Sequence, residues 1–236
     1  MAVRMRARGI DQFDDYADLL DRDPSEYDRL IDTLTINVTK FFRNQEVWAV
    51  VEDEVVPRLF EGNPAPRRIW SAGCASGEEI YSVAMLLRGW AERFGRTREL
   101  ERFHLLGTDI DRRSLAAARR GSFPELSMGE TPPELLDRWF SPGPPYQIDP
   151  IIQERVEFTS RDLISGEIEP DQHLIFCRNV IIYFDRGIQE ELFDRFYEAL
   201  VPGGFLVLGK VETLLGRTRS LLRPVSNRQR IFWKPD

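Results

Sequence analysis

The chain holds little that would bind a metal or staple a small fold. It has two cysteines and two histidines in 236 residues, which excludes a disulfide framework and leaves no metal-ligand cluster. Cys74 and Cys177 are expected to stay reduced, and His104 and His173, each alone beside a strand, read as structural residues. There is no apolar run long enough to span a bilayer and no signal-peptide pattern, so a cytoplasmic protein without direct membrane insertion is expected. Basic charge is also in deficit. The 39 acidic and 32 basic residues leave a net charge of −7, which argues against nucleic acid as the partner. Internal repeats and low-complexity tracts are missing as well.

What is there is an alternation of strand-like and helix-like segments, long enough for one sizeable α/β domain plus an accessory element. Residues 1 to about 35 read as helices, with Asp23-Pro24-Ser25-Glu26 supplying an N-cap, a first-turn proline and a glutamate at the third position. Tyr27, Leu30, Ile31 and Leu34 then recur at helical spacing. A further helix is expected from Gln45 to Phe60, stopping before Gly62-Asn63-Pro64. The α/β core begins near Arg67. Seven of the 15 prolines fall between Gly121 and Pro150, a density that breaks the alternation and marks an insertion. Strands resume at 156–159 and 174–177, a helix carries Ile188, Leu192, Phe193, Phe196 and Leu200, and strands follow at 205–208 and 229–234. A mostly parallel sheet covered on both faces results, with ligands expected at the carboxyl ends of its strands.

The most informative stretch is Ile69-Trp70-Ser71-Ala72-Gly73-Cys74-Ala75-Ser76-Gly77-Glu78-Glu79. It reads as a strand, a turn of small residues and a helix start, where backbone N–H groups can approach a ligand closely. The spacing is G-x-x-x-G and not the G-x-G-x-x-G of a dinucleotide site. Two glutamates open the helix, which suits the helix dipole but repels a phosphate. A ligand with cationic and hydroxyl-bearing parts fits better, and S-adenosylmethionine (AdoMet), with its sulfonium and ammonium groups, is such a ligand. Asp109 and Asp111 end a second strand; Asp111 reads as a helix cap and Asp109 as an acceptor for ribose hydroxyls.

Two further segments carry candidate chemistry. Arg178, Asn179 and Tyr183 follow a buried strand and face the Gly73 turn if the two strands are neighbours; the alternative is that Arg178-Asn179 only satisfies backbone groups at the strand end. Asn37-Val38-Thr39-Lys40-Phe41-Phe42-Arg43, taken alone, reads as a helix cap with aromatic core anchors.

Together these segments resemble the CheR family, the chemotaxis-receptor glutamate methyltransferases. The matching pieces are NVTKFFR at 37–43, WSAGCASGEEIYS at 70–82, GTDID at 107–111, EFTSRDL at 157–163 and FCRNVIIYF at 176–184, with LVPGGFLVLG at 200–209 as in AdoMet-dependent methyltransferases generally. The resemblance implies a Rossmann-like class I AdoMet-dependent methyltransferase domain at 67–236, reached through a linking helix at 45–66. A short helical region at 1–44 precedes it, and a small β-subdomain is inserted at 121–155. It implies methyl transfer from AdoMet to glutamate carboxylates in the cytoplasmic domains of chemoreceptors, with S-adenosylhomocysteine as product and no metal.

Carried over by position, the resemblance places Asn37, Thr39 and Arg43 at the cofactor from the N-terminal side. Ala72 and Gly73 line it, Glu79 and Asp109 hold its amino-acid and ribose parts, Asp162 and Leu163 surround adenine, and Arg178 with Asn179 close the pocket. Arg43 and Tyr183 are implied near the methyl group and the substrate carboxylate. The chain departs from the family at Ile80, where proline is common, and at Gly209-Lys210-Val211-Glu212, in place of G-H-S-E. Its N-terminal region is also short for the family, which is expected to reduce the receptor-docking surface. Two rival readings are a nucleic-acid N-methyltransferase, whose prolines Asn179-Val180-Ile181-Ile182-Tyr183 lacks, and a non-catalytic AdoMet-binding regulator.

Overall fold

The computed structural model describes residues 1–34, 39–62 and 65–235. Three helices open the chain: α1 (Ala2–Arg8), α2 (Phe13–Arg22) and α3 (Pro24–Leu34). A longer helical stretch follows as α4 (Gln45–Val50), a π-type turn at Val51–Val55 and α5 (Val56–Phe60). The helix widens just before Pro57, which has no N–H with which to continue the ladder. Next come β1 (Arg67–Ala72), α6 (Glu78–Arg93), β2 (Phe103–Asp109) and α7 (Arg112–Arg120). The proline-rich insertion carries β3 (Ser122–Phe123), α8 (Pro133–Trp139), β4 (Tyr146–Gln147) and α9 (Pro150–Gln153). The chain continues through β5 (Val156–Ser160), β6 (Gln172–Cys177), α10 (Arg186–Ala199) and β7 (Leu200–Leu208). It ends with α11 (Thr218–Leu221), β8 (Arg223–Ser226) and β9 (Ile231–Trp233).

Among the described residues, seven strands form one sheet in the order β5-β2-β1-β6-β7-β9-β8, and β3 pairs with β4 apart from it. Pairings from β5 through β7 are parallel, while β9 runs antiparallel to both its neighbours. Period-2 alternation explains why both faces are apolar. Ile69, Leu174, Phe176, Phe205 and Val207 point into one cluster with Trp48, Val51, Phe60 and Ile80. Trp70, Ile175, Cys177, Leu206 and Leu208 point into the other with Phe193 and Phe196 of α10. The 45–60 helix is therefore a wall of the core, beyond the linking role expected of it. Asn63 and Pro64, in the expected helix stop, lie outside the described residues.

The strand order reverses between β1 and β6, because the chain moves outward through β2 and β5 and then returns. Carboxyl ends of adjacent strands diverge at such a point and leave a crevice. Gly73 follows β1 there and Arg178 follows β6.

The first three helices make their own small cluster of Met5, Tyr16 and Leu30. Asp23 caps α3, its Oδ1 accepting the Ser25 N–H at 3.0 Å. Glu26 corrects the sequence expectation, because it does not turn back toward that cap. Its fully buried carboxylate accepts from Arg4 Nε and Nη2 at 2.9 and 2.7 Å, from Arg8 Nε at 2.7 Å and from the Tyr16 hydroxyl at 2.9 Å. The Arg4 hydrogen bonds outweigh burial and hold its pKa at about 2. Tyr27, read as a core position, is instead 46% exposed; Ile31 and Leu34 side chains lie outside the description.

Candidate active site

The turn after β1 is shaped by backbone conformations that favour glycine. Gly73 has φ 78° and Gly77 φ 90°, and a Cβ on Gly73 would lie 2.4 Å from Cγ2 of Val180, which follows β6. The turn's N–H groups point inward. Those of Gly73 and Cys74 donate to the Thr108 carbonyl at 2.8 and 2.9 Å, that of Gly77 to the Cys74 carbonyl at 2.9 Å, and that of Ala75 to Asp109 Oδ2 at 2.8 Å. The expectation that this main chain offers N–H groups to a ligand is corrected at these four positions. An anion finds few donors here, which separates the turn from a phosphate cradle.

The turn presents carboxylates instead. Glu79, at the start of α6, accepts from Ser71 Oγ at 2.8 Å and faces Arg178 Nη1 at 3.4 Å. Burial pushes its pKa above the ordinary 4.5, although Arg178 and Ser71 oppose the shift. Asp109, at the end of β2, accepts the Asp111 N–H on Oδ1 at 2.9 Å, and burial likewise raises it above 3.8. Both groups gain if a cation or hydroxyl donors reach them. Glu78 points elsewhere: it is 1% exposed and accepts from Ser127 of the insertion at 3.0 Å.

Arg178 links the end of β6 to the segment entering from the N-terminal side. Its Nη2 donates to the Arg43 carbonyl and to Asn44 Oδ1, both at 2.9 Å. Its buried Nε has no hydrogen-bond partner among the described residues, a donor left over at the crevice. The loop after β7 supports this wall. Glu212 Oε1 accepts the N–H groups of Val180 and Ile181, each at 3.0 Å, and Oε2 accepts that of Gly209 at 2.6 Å. Lys210, at one of the positions departing from the family pattern, pairs with Glu46 in the first turn of α4.

The structure thus brings Ala72, Gly73, Glu79, Asp109, Arg43, Arg178 and Asn179 to one crevice. Asn179 sits at φ 61° beside Gly209, whose Cβ would lie 2.9 Å from the Asn179 nitrogen. Thr39 is half-buried at the start of the same N-terminal segment, and Asn37 lies outside the described residues. Asp162 closes its own turn, its oxygens accepting from the Ile164 N–H at 2.9 Å and Ser165 Oγ at 2.6 Å. Leu163 packs at the edge of the cluster that contains Ile181. Tyr183 is 66% exposed on a single helical turn, Ile181–Tyr183. Asp111 caps α7 as expected, accepting the Arg113 and Ser114 N–H groups at 2.8 and 3.3 Å. Phe41 and Phe42 are buried anchors, Phe41 edge-on to Phe123 and Phe140. Both cysteines are buried thiols, and burial raises each pKa well above 9.0. Among the described residues no group of three or more His, Cys, Asp or Glu is placed to hold a metal, and no helix is long and apolar enough to cross a membrane.

Ser71 and Glu130 escaped the sequence reading; Glu212 was visible only as the retained end of an altered motif. Ser71 carries no local signal beyond its place in β1, and Asn44, the backbone partner of the Glu130 carboxylate, is 86 residues away in the chain.

Comparison with known proteins agrees with this geometry. Residues 37–231 match the CheR methyltransferase SAM (AdoMet)-binding domain, and residues 1–35 match the CheR methyltransferase all-alpha domain. The chemotaxis protein methyltransferase of Listeria innocua is 35% identical over 204 residues, covering 86% of this chain and 75% of that protein. That of Salmonella typhimurium is 33% identical over 225 residues, covering 92% and 75%. The mostly parallel sheet with its reversal between β1 and β6 is the class I AdoMet-dependent methyltransferase fold. With both of its domains matched and the crevice in place, this chain belongs to the CheR methyltransferase family.

Proposed function

We propose that this protein methylates glutamate side-chain carboxylates of chemoreceptors with AdoMet, giving glutamate methyl esters and S-adenosylhomocysteine. The observation that carries the reading is the pair of carboxylates Glu79 and Asp109, raised in pKa by burial beside a turn with inward-pointing N–H groups. That setting suits a cationic, hydroxyl-bearing ligand. When bound, AdoMet supplies an electrophilic methyl group. Glu79 takes its ammonium end, Asp109 its ribose hydroxyls, and Asp162 with Leu163 its adenine. Gly73 leaves room at the main chain, and Arg178 with Asn179 closes one side. The family pattern adds Asn37 and Thr39 to this set.

The other reactant needs little activation. A glutamate carboxylate in water titrates near pH 4.3, roughly three units below neutrality, so it is already ionised and no general base is required. The protein contributes alignment and the exclusion of water from a weak nucleophile. Arg43 orients the carboxylate with its planar fork, and Tyr183 donates to the oxygen that does not attack. The chemotaxis protein methyltransferases among its relatives support a substrate in chemotaxis.

Substitution at Arg43 tests the assignment. Arg43→Lys keeps the charge and loses the two-point fork, so methyl transfer should fall much further than AdoMet affinity, with Tyr183→Phe milder in the same direction. Matched losses in rate and affinity would make both residues pocket walls. Intact AdoMet binding in a wild-type chain that transfers no methyl group would favour a regulator.

A further inference from the structure

Arg43 lies between two residues held in a conformation that L side chains avoid. Phe42 has φ 53° and Asn44 φ 63°, in the left-handed region, which is strained for phenylalanine and better tolerated by asparagine. Such conformations persist only where the surroundings impose them. From α6, Ser82 Oγ accepts the Phe42 N–H at 3.1 Å. From the end of β6, Arg178 holds the Arg43 carbonyl and the Asn44 side chain.

From α4, Trp48 Nε1 donates to the same Arg43 carbonyl at 3.1 Å, and further constraints come from the insertion. The Ser127 carbonyl accepts the Phe41 N–H at 3.0 Å, and the Phe41 ring stands edge-on to Phe123 and Phe140 at 4.7 and 4.9 Å. Glu130 grips the chain on both sides of Arg43. Its Oε2 accepts the Asn44 N–H at 2.6 Å, its backbone carbonyl accepts Gln45 Nε2 at 2.9 Å, and its Oε1 faces the Lys40 ammonium at 3.6 Å. A charged acceptor makes the Asn44 bond stronger than a neutral one would. Asn44 has a left-handed backbone and its side chain also meets Arg178, so Glu130 holds its N–H while Arg178 holds its side chain.

We infer that Glu130, in the inserted subdomain, is a positioning residue for methyl transfer that acts through Arg43. It fixes the backbone of residues 42–44 and with it the point from which the Arg43 side chain starts. The inference rests on the role proposed above for Arg43. It also gives the insertion a part in the reaction, because a disturbance of residues 125–131 reaches the crevice through this carboxylate.

The test compares Glu130→Ala and Glu130→Gln with the wild-type chain. The readouts are single-turnover methyl transfer to chemoreceptor cytoplasmic fragments, AdoMet affinity by calorimetry, and amide hydrogen exchange at residues 42–46. Loss of a charge-assisted hydrogen bond should slow transfer about ten- to hundredfold in Glu130→Ala, with AdoMet affinity little changed and faster exchange at Asn44. Glu130→Gln keeps an acceptor for the Asn44 N–H and should recover most of the rate. In an Arg43→Ala background, Glu130→Ala should cost less than about a further twofold, because the group it positions is gone. Parallel losses of rate and affinity, or full additivity with Arg43→Ala, would overturn the inference. Failure of the wild-type chain to methylate any fragment would instead strike the proposed function, and exchange would still decide: unchanged protection at Asn44 in Glu130→Ala refutes the positioning role, and lost protection supports it.

Discussion

Gly73 and Val180 meet across the switch point so closely that a Cβ on Gly73 would lie 2.4 Å from the valine Cγ2. The contact closes the crevice from below by joining the end of β1 to the turn after β6. Gly73→Ala must displace Val180 and also adopt φ 78°, at a cost of about 1–3 kcal/mol. AdoMet affinity should fall with it. Adding Val180→Ala relieves the clash but not the backbone strain, so the double variant should recover part of both losses. Denaturant unfolding and calorimetry on the two variants decide this, and wild-type affinity in Gly73→Ala would place the ligand elsewhere.

Asp109 has two tasks, and a pair of substitutions separates them. Its oxygens hold the Ala75 and Asp111 N–H groups while remaining the proposed acceptors for ribose hydroxyls. Asp109→Ala should weaken AdoMet binding by about 1.5–3 kcal/mol, roughly ten- to hundredfold. Asp109→Asn keeps one acceptor oxygen and should lose less. Calorimetry giving equal affinity in all three proteins would remove the ribose assignment.

The raised pKa values of Glu79 and Asp109 set a pH dependence with a definite sign. A carboxyl group whose pKa rises on folding contributes stability at low pH, and that contribution is lost as pH rises through the folded value. A cationic ligand stabilises the anions, so binding should release protons, and affinity should weaken as pH falls from neutrality toward the ordinary values of 4.5 and 3.8. Titration calorimetry in buffers of different ionisation enthalpy measures the protons directly. Affinity that is flat over this range would mean that neither carboxylate meets the ligand's charge.

Glu26 should matter for stability and not for chemistry. Its pKa, held at about 2, lies below the unfolded value, so its contribution is present above the ordinary carboxylate range and is lost as pH falls toward 2. Glu26→Ala leaves Arg4 and Tyr16 without their buried partner, and removing one member of such a pair costs about 3 kcal/mol. Faster hydrogen exchange in residues 2–34, with β1 and β6 unchanged, is the expected result. Unaltered protection of those helices would show that the cluster contributes nothing.

Local signals explain most of what the sequence disclosed. Strand-like side chains at 69–72 and a continuous apolar run at 174–177 marked β1 and β6, small residues marked the Gly73 turn, and Asp111 before a helical pattern marked its cap. Where partners are distant, local reading failed. Glu26 sits where a capping-box residue would, yet its partners Arg4 and Arg8 are 22 and 18 residues away. Glu130 is one acidic residue in a proline-rich stretch until the fold lays Asn44 on it. The inward direction of the N–H groups at 73–75 is likewise set by β2, through Thr108 and Asp109. β8 went unread because its four residues, Arg-Pro-Val-Ser, show no strand period.

Methyl-ester formation on a receptor tests the central claim most directly. The wild-type chain is incubated with methyl-labelled AdoMet and chemoreceptor cytoplasmic fragments, and the labelled fragment is treated with mild alkali. Glutamate methyl esters release the label as volatile methanol, and peptide mass spectrometry places the added methyl groups on glutamates. Label that resists alkali, or that appears on nitrogen or on no receptor fragment while AdoMet binds normally, would contradict carboxylate methylation of chemoreceptors as the function of this protein.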